Sequence, residues 1–134
     1  MAKEYRIFIS HSWGHVDDLR RLRDLLKNRG YFHVEFLEAS PSEPINSDNA
    51  VYVRRILKEK IAQSDIVLGI AGVYASYSDW MEWELKTASA QNVPIVGVIP
   101  RGQLRLSQVV QSYATSFVSW NTESIVAAIR TYSK

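Results

Sequence analysis

No cysteine occurs in the 134 residues, which excludes a disulfide framework and thiolate metal sites and fits a reducing compartment. Histidine is scarce, and His11, His15 and His33 show neither zinc-ligand spacing nor an accompanying acidic cluster, so no metal site is expected. No stretch approaches the roughly 18 apolar residues of a membrane span, and Met1-Ala2-Lys3-Glu4-Tyr5 lacks the apolar run of a secretory signal. Neither sign of charge dominates: 16 basic and 14 acidic residues leave a net charge of +2, less clustered than nucleic-acid domains carry. The one basic row, Arg20, Arg21, Arg23, Lys27 and Arg29, is interleaved with Asp17, Asp18 and Asp24 and reads as a solvated helix face. Repeats and low-complexity tracts are also missing. These absences leave one cytoplasmic domain over residues 1–134, with no nucleic-acid or membrane partner expected.

What is present alternates. Tyr5–Ser10 is short, β-branched and aromatic, as a strand requires. Val16–Arg29 carries leucines at 19, 22, 25 and 26, the stripe of an amphipathic helix stopped by Gly30. Phe32–Leu37 alternates as a second strand. Residues 38–49 are turn chemistry, from which Ser47 or Asp48 can cap a helix to about Gln63, with Val53, Ile56, Leu57 and Ile61 inward. Asp65–Ala71 is a nearly unbroken apolar run, the mark of a central parallel strand. A helix from about Ser78 to Gln91, a strand at Pro94–Ile99, and a polar connection over 100–113 with one helical turn follow. A strand at Thr115–Trp120 and a helix capped by Asn121 or Thr122 end the series, with Ile125, Ala128, Ile129 and Tyr132 on the helix's inner face. This β-α alternation predicts an α/β, flavodoxin-like three-layer sandwich with a five-stranded parallel sheet in the order 2-1-3-4-5.

In sheets of that order ligands bind beyond the carboxyl ends of the strands, where the order reverses between strands 1 and 3. Ser10-His11-Ser12-Trp13-Gly14 leaves strand 1 there, and Gly72 to Ser78 leaves strand 3. Both are rich in hydroxyl and aromatic side chains, a lining suited to a polar ligand with a flat ring. On the following helix Met81, Leu85 and Ala88 form the apolar stripe. Glu84 lies roughly 60° to one side of Met81, with Trp80 one turn below it, whereas Glu82 lies roughly 160° from Glu84. The two carboxylates diverge and form no acid/base pair across one substrate. Glu82, three residues after Asp79, has a capping-box reading. Glu84 has none, and a carboxylate at the core's edge near the switch point is a candidate for chemistry. Trp83, opposite the stripe, is expected to be exposed.

Arg6-Ile7-Phe8-Ile9-Ser10-His11-Ser12-Trp13 resembles the opening strand motif of TIR domains. Ser78-Asp79-Trp80-Met81-Glu82-Trp83-Glu84-Leu85 resembles their third-helix motif, with a tryptophan four residues before the catalytic glutamate. With the Ser40-Pro41…Pro44-Ile45 loop and the ending Val118–Val126, the chain is similar end to end to the TIR-like family of bacterial Thoeris anti-phage systems. The resemblance implies NAD as substrate rather than cofactor, and an NAD glycohydrolase or cyclase activity at the nicotinamide–ribose bond. The product would be an ADP-ribose-derived signal, cyclic or conjugated, that diffuses to a separate effector. It assigns catalysis to Glu84, places Ser10, His11, Ser12, Trp13 and Trp80 around the substrate, and makes residues 38–49 the BB loop used in self-association. The chain departs from animal TIR NADases, which tend to carry basic residues where Ser12 and Trp13 stand. A non-catalytic TIR adaptor acting by assembly is the alternative. A receiver domain is disfavoured because strand 3 ends Gly69-Ile70-Ala71 without an aspartate, and a flavodoxin because the loop after strand 1 holds a single glycine.

Overall fold

The computed structural model describes residues 4–11, 16–30, 32–37, 50–71, 79–100 and 107–133. Strands and helices alternate along them: β1 (Glu4–Ser10), α1 (Val16–Lys27), β2 (His33–Phe36), α2 (Ala50–Gln63), β3 (Ile66–Ile70), α3 (Asp79–Ala90), β4 (Ile95–Ile99), α4 (Gln108–Tyr113), β5 (Ser116–Ser119) and α5 (Thr122–Tyr132). The five strands are parallel in the order β2-β1-β3-β4-β5, the flavodoxin-like order expected from the alternation. Parallel neighbours need crossover connections, and the helices supply them on both faces.

The pleat sorts the strand residues into two cores. Ile7 and Ile9, Ile66, Leu68 and Ile70, and Val96 and Val98 pack with Leu19, Leu22 and Leu26 of α1 and Ile125, Val126 and Ile129 of α5. The alternate residues, Phe8, Val67, Ala71 and Ile95, pack with Leu57 and Ile61 of α2, Met81, Leu85 and Ala88 of α3 and Val110 of α4. β3, β4 and the second half of β1 are buried on both faces, which is why Ile66–Ile70 and Ile95–Ile99 read as continuous apolar runs and Ile7–Ile9 as a shorter one. Arg6 and Asp65 join the entry ends of β1 and β3 twice: the Asp65 N–H donates to Arg6 O at 2.8 Å, and the Arg6 N–H to Asp65 Oδ2 at 2.9 Å. At edge strand β2, Arg23 and Lys27 lie over the Phe36 ring, 5.2 and 5.8 Å from its centroid. Part of the basic row on α1 therefore covers an aromatic ring.

The structure resolves some of the expectations and corrects others. The connection between β4 and β5 carries a six-residue helix, α4, with Ser107 as N-cap and Val110 buried. Its apolar Val110 covers the sheet above the two glycines of β3 and β4, with Cγ1 3.5 Å from where a Cβ on Gly69 would stand and 3.1 Å from one on Gly97. Tyr132 does not join the inner face of α5 but is 37% exposed, because the helix runs past the edge of the sheet core. Of the two caps offered for α5, Asn121 is the one that acts, its Oδ1 accepting from Ser124 N–H at 3.1 Å. Trp83 is half-buried rather than exposed, since it packs against the edge of the α2–α3 core. Ser47 and Asp48, expected as caps of α2, lie outside the described residues.

Candidate functional site

The site is built where β1 ends. Counting outward along the strand, Phe8 faces the α2–α3 core and so does Ser10, two residues on. Ser10 is fully buried, beside Gly69 of β3 in the sheet register. On α3 the core stripe of Met81, Leu85 and Ala88 fixes the helix rotation on the sheet. That rotation turns Glu84 inward and leaves Glu82 exposed, the divergence expected from helical spacing. Glu84 is 4% exposed, and its Oε1 accepts a hydrogen bond from Ser10 Oγ at 2.8 Å. The two residues therefore meet at the carboxyl end of β1, between β1 and α3, beside the point where the strand order reverses.

His11 follows immediately and is 7% exposed. Burial pushes its imidazole pKa below the ordinary value, with the nearby Ile9 carbonyl partly opposing the shift. At neutral pH it is therefore an uncharged ring rather than a fixed cation. Its Nδ1 lies 3.5 Å from Ile9 O, and a carbonyl can only accept, so in that contact Nδ1 carries the proton.

Trp80, also 7% exposed, belongs to the α2–α3 core and meets Trp83 edge to face with ring centroids 5.9 Å apart. It stands one helical turn before Glu84. The structure thus brings Ser10, His11, Trp80 and Glu84 to one end of β1 and α3. Ser12 and Trp13, and the loop segments 38–49 and 72–78, lie outside the described residues.

One polar residue at this end was not singled out from sequence. Ser107 is fully buried, its N–H donates to Ala71 O at 3.2 Å just beyond β3, and its Oγ faces Val110 N–H at 3.4 Å as the cap of α4. A serine ahead of Gln108-Val109-Val110 is the helix-start signal that could have revealed it. Among the described residues, no group of histidine, aspartate and glutamate side chains could hold a metal ion, and no helix is long and apolar enough to cross a membrane.

A buried carboxylate with an oriented hydroxyl donor can stabilise a positive charge that develops beside it, and the low-dielectric surroundings strengthen that effect. The arrangement holds one such carboxylate. It suits a reaction whose leaving group needs no protonation.

The model of the family described as Thoeris protein ThsB, TIR-like domain, matches residues 8–105, a span that includes Ser10, His11, Trp80 and Glu84. Among solved structures the chain is similar to a 2-deoxyribosyltransferase from the psychrotolerant bacterium Bacillus psychrosaccharolyticus, with 17% identity and a TM-score of 0.62 over 92% of this chain and 95% of that one. It is also similar to the Clostridium botulinum CMP N-glycosidase BcmB, with 13% identity and a TM-score of 0.56 over 93% of this chain and 98% of the other. At such identities the likeness is one of fold. A search of curated protein sequences finds no match.

Proposed function

The chain belongs to the family of TIR-like domains of Thoeris protein ThsB, and on that premise we propose that it cleaves NAD at the nicotinamide–ribose bond with Glu84 as the catalytic carboxylate. One observation carries the reading: Glu84 is withdrawn from solvent at the sheet's switch point and oriented by Ser10 Oγ. Glutamate is seldom this deeply buried, and perturbed acids of that kind cluster at working sites, which supports the reading.

The chemistry asks little else of the protein. The nicotinamide ring of NAD is cationic, and when the C–N bond breaks the bonding pair neutralises it, so the leaving group takes no proton. Positive charge develops instead at the anomeric carbon, as in glycoside cleavage generally. Glu84 would stabilise that charge, with Ser10 holding the carboxylate in place and Trp80 and the neutral His11 bordering the substrate; Ser12 and Trp13 would complete the border. A nucleophile then bonds to the anomeric carbon, and the proton that water or another hydroxyl gives up on attack passes to solvent. Water gives ADP-ribose, and an internal or foreign nucleophile gives a cyclic or conjugated product. The two solved structures described above bear names of N-glycosidic chemistry, a nucleoside deoxyribosyl transfer and a CMP N-glycosidase, which is compatible with this bond class.

In a cytoplasmic setting the product would diffuse to a separate effector, and self-association of the TIR-like domains would assemble the active form. The test is chromatography with mass detection of products from NAD, comparing the assembled wild-type chain with Glu84→Gln. Turnover should fall at least about a hundredfold in a folded variant. Equal turnover in both proteins defeats the assignment of Glu84. Absence of NAD loss from the assembled wild type, with partner binding intact, leaves the adaptor reading in its place.

A further inference from the structure

A glycine stands beside the hydroxyl that orients the acid. Gly69 is buried in β3, directly opposite Ser10 in the sheet register. Paired positions of neighbouring parallel strands project to the same face of the sheet, so a side chain at position 69 would point with the Ser10 hydroxyl toward α3. A Cβ placed there lies 3.5 Å from Leu85 Cδ2, 3.8 Å from Met81 Cε and 3.5 Å from Val110 Cγ1, all ordinary contacts.

The space above the glycine is therefore filled once a methyl group is there. A longer side chain has to displace at least one of the three neighbours, and two of them belong to α3. Those two flank the acid on its own helix: Leu85 follows Glu84 directly, and Met81 stands one turn before Leu85. Both are fully buried and set the rotation and height of the helix on the sheet. Close-packed interiors pass such a displacement on rather than absorb it. The Ser10–Glu84 bond, at 2.8 Å, has little room to stretch before it weakens. Gly97 provides the contrast. It pairs with Gly69 in the β3–β4 register, yet the nearest atoms to a Cβ there belong to Phe117 and Val110, none of them to α3.

We propose that Gly69 is a positioning residue for Glu84: because nothing at this position reaches beyond the space of a methyl group, α3 packs close enough to β3 for the carboxylate to meet Ser10 Oγ. Gly69 acts through Leu85 and Met81 rather than by contact with substrate. The kinetic consequence rests on the catalytic reading of Glu84 given above; the geometric one does not.

The test combines two readouts on the full chain. The first, which needs no NAD, is the ¹³C signal of the Glu84 carboxyl, identified from its loss in Glu84→Gln. Ser10→Ala gives the position of that signal once the hydrogen bond is gone. The second readout is kcat and KM for NAD. Gly69→Val should move the carboxyl signal toward its Ser10→Ala position and lower kcat at least about tenfold, with KM within about threefold. Valine suits a strand, so β3 itself is kept. Gly69→Ala should stay close to wild type in both readouts. So should Gly97→Ala despite its cost in stability, which separates a displaced acid from a merely weakened fold. Combining Gly69→Val with Leu85→Ala removes as many carbons as it adds, and should restore the signal and at least about threefold of kcat. If Gly69→Val does not fold, Gly69→Cys, one atom longer than alanine, takes its place. A carboxyl signal left unmoved by the larger residue overturns the proposal, and so does an equal shift in Gly97→Ala. A moved signal with unchanged turnover upholds the positioning and defeats the catalytic assignment of Glu84 instead.

Discussion

Ser10 Oγ donates to Glu84 Oε1 across 2.8 Å, joining residues 74 positions apart at the carboxyl end of β1. Both are buried, so the bond is shielded from solvent competition and fixes where the carboxylate sits. In Ser10→Ala that bond is lost and the variant is expected to lose about 1–3 kcal/mol of stability. NAD turnover should fall roughly tenfold or more through kcat, because the carboxylate is no longer held. Denaturant unfolding together with a split of kcat from KM checks both. An unchanged kcat in the folded variant would remove Ser10 from a positioning role.

Gly97 and Gly69 stand side by side in the β3–β4 register yet differ in what a methyl group would meet. A Cβ on Gly97 would lie 2.5 Å from the Phe117 ring and 3.1 Å from Val110, whereas one on Gly69 meets Leu85 and Val110 at 3.5 Å, ordinary contact. Gly97→Ala should therefore cost about 1–3 kcal/mol by overpacking, and Gly69→Ala clearly less. Pairing Gly97→Ala with Phe117→Leu should recover part of the loss. Thermal or urea unfolding of the single and double variants measures it.

His11 makes stability depend on pH. Its folded-state pKa lies below the ordinary value of 6.5 because burial disfavours the charged ring. The unfolded chain thus binds this proton more readily than the native one. The stability due to neutral His11 is complete above pH 6.5, declines as pH falls below that value, and is fully lost below the lower folded-state pKa. His11→Asn should flatten that part of the curve. Urea midpoints taken from pH 7.5 down to the onset of acid unfolding provide the comparison.

A second pH effect comes from the surface. Arg29 Nε and Nη2 donate to Glu123 Oε2 and Oε1, each at 3.0 Å, tying the turn after α1 to the first turn of α5. The hydrogen bonds from Arg29 hold the Glu123 carboxyl below its ordinary value of 4.5, and Arg130 adds a smaller pull. The pair's contribution is therefore complete above pH 4.5 and disappears as pH falls through the lower folded-state value. Glu123→Gln should erase this acid-side slope and leave neutral-pH activity alone. Acid unfolding followed by circular dichroism would show it.

The strand order and most element positions were legible because three central strands must be apolar on both faces and the helices carry clear stripes. Glu84 was legible for the same reason: Met81, Leu85 and Ala88 set the rotation that turns it inward. The hydroxyl that meets it was visible as a residue at the end of strand 1 but not as a partner, since only the packed structure brings β1 and α3 to hydrogen-bond distance. Helix α4 was underread because its six residues give too few turns for periodicity, and its apolar Val110 acts through two glycines in other strands. Trp83 was misplaced because helical spacing locates a face but not the neighbouring helix that half-covers it.

Helix α3 turns Met81 and Leu85 into the hydrocarbon interior and carries the acid between them. If the acid works as proposed, a mutation that loosens this wedge would disturb foldedness and reactivity together, and neither property could drift alone along that surface. Novelty in what such a protein accepts would then have to arise away from the residues that brace the acid.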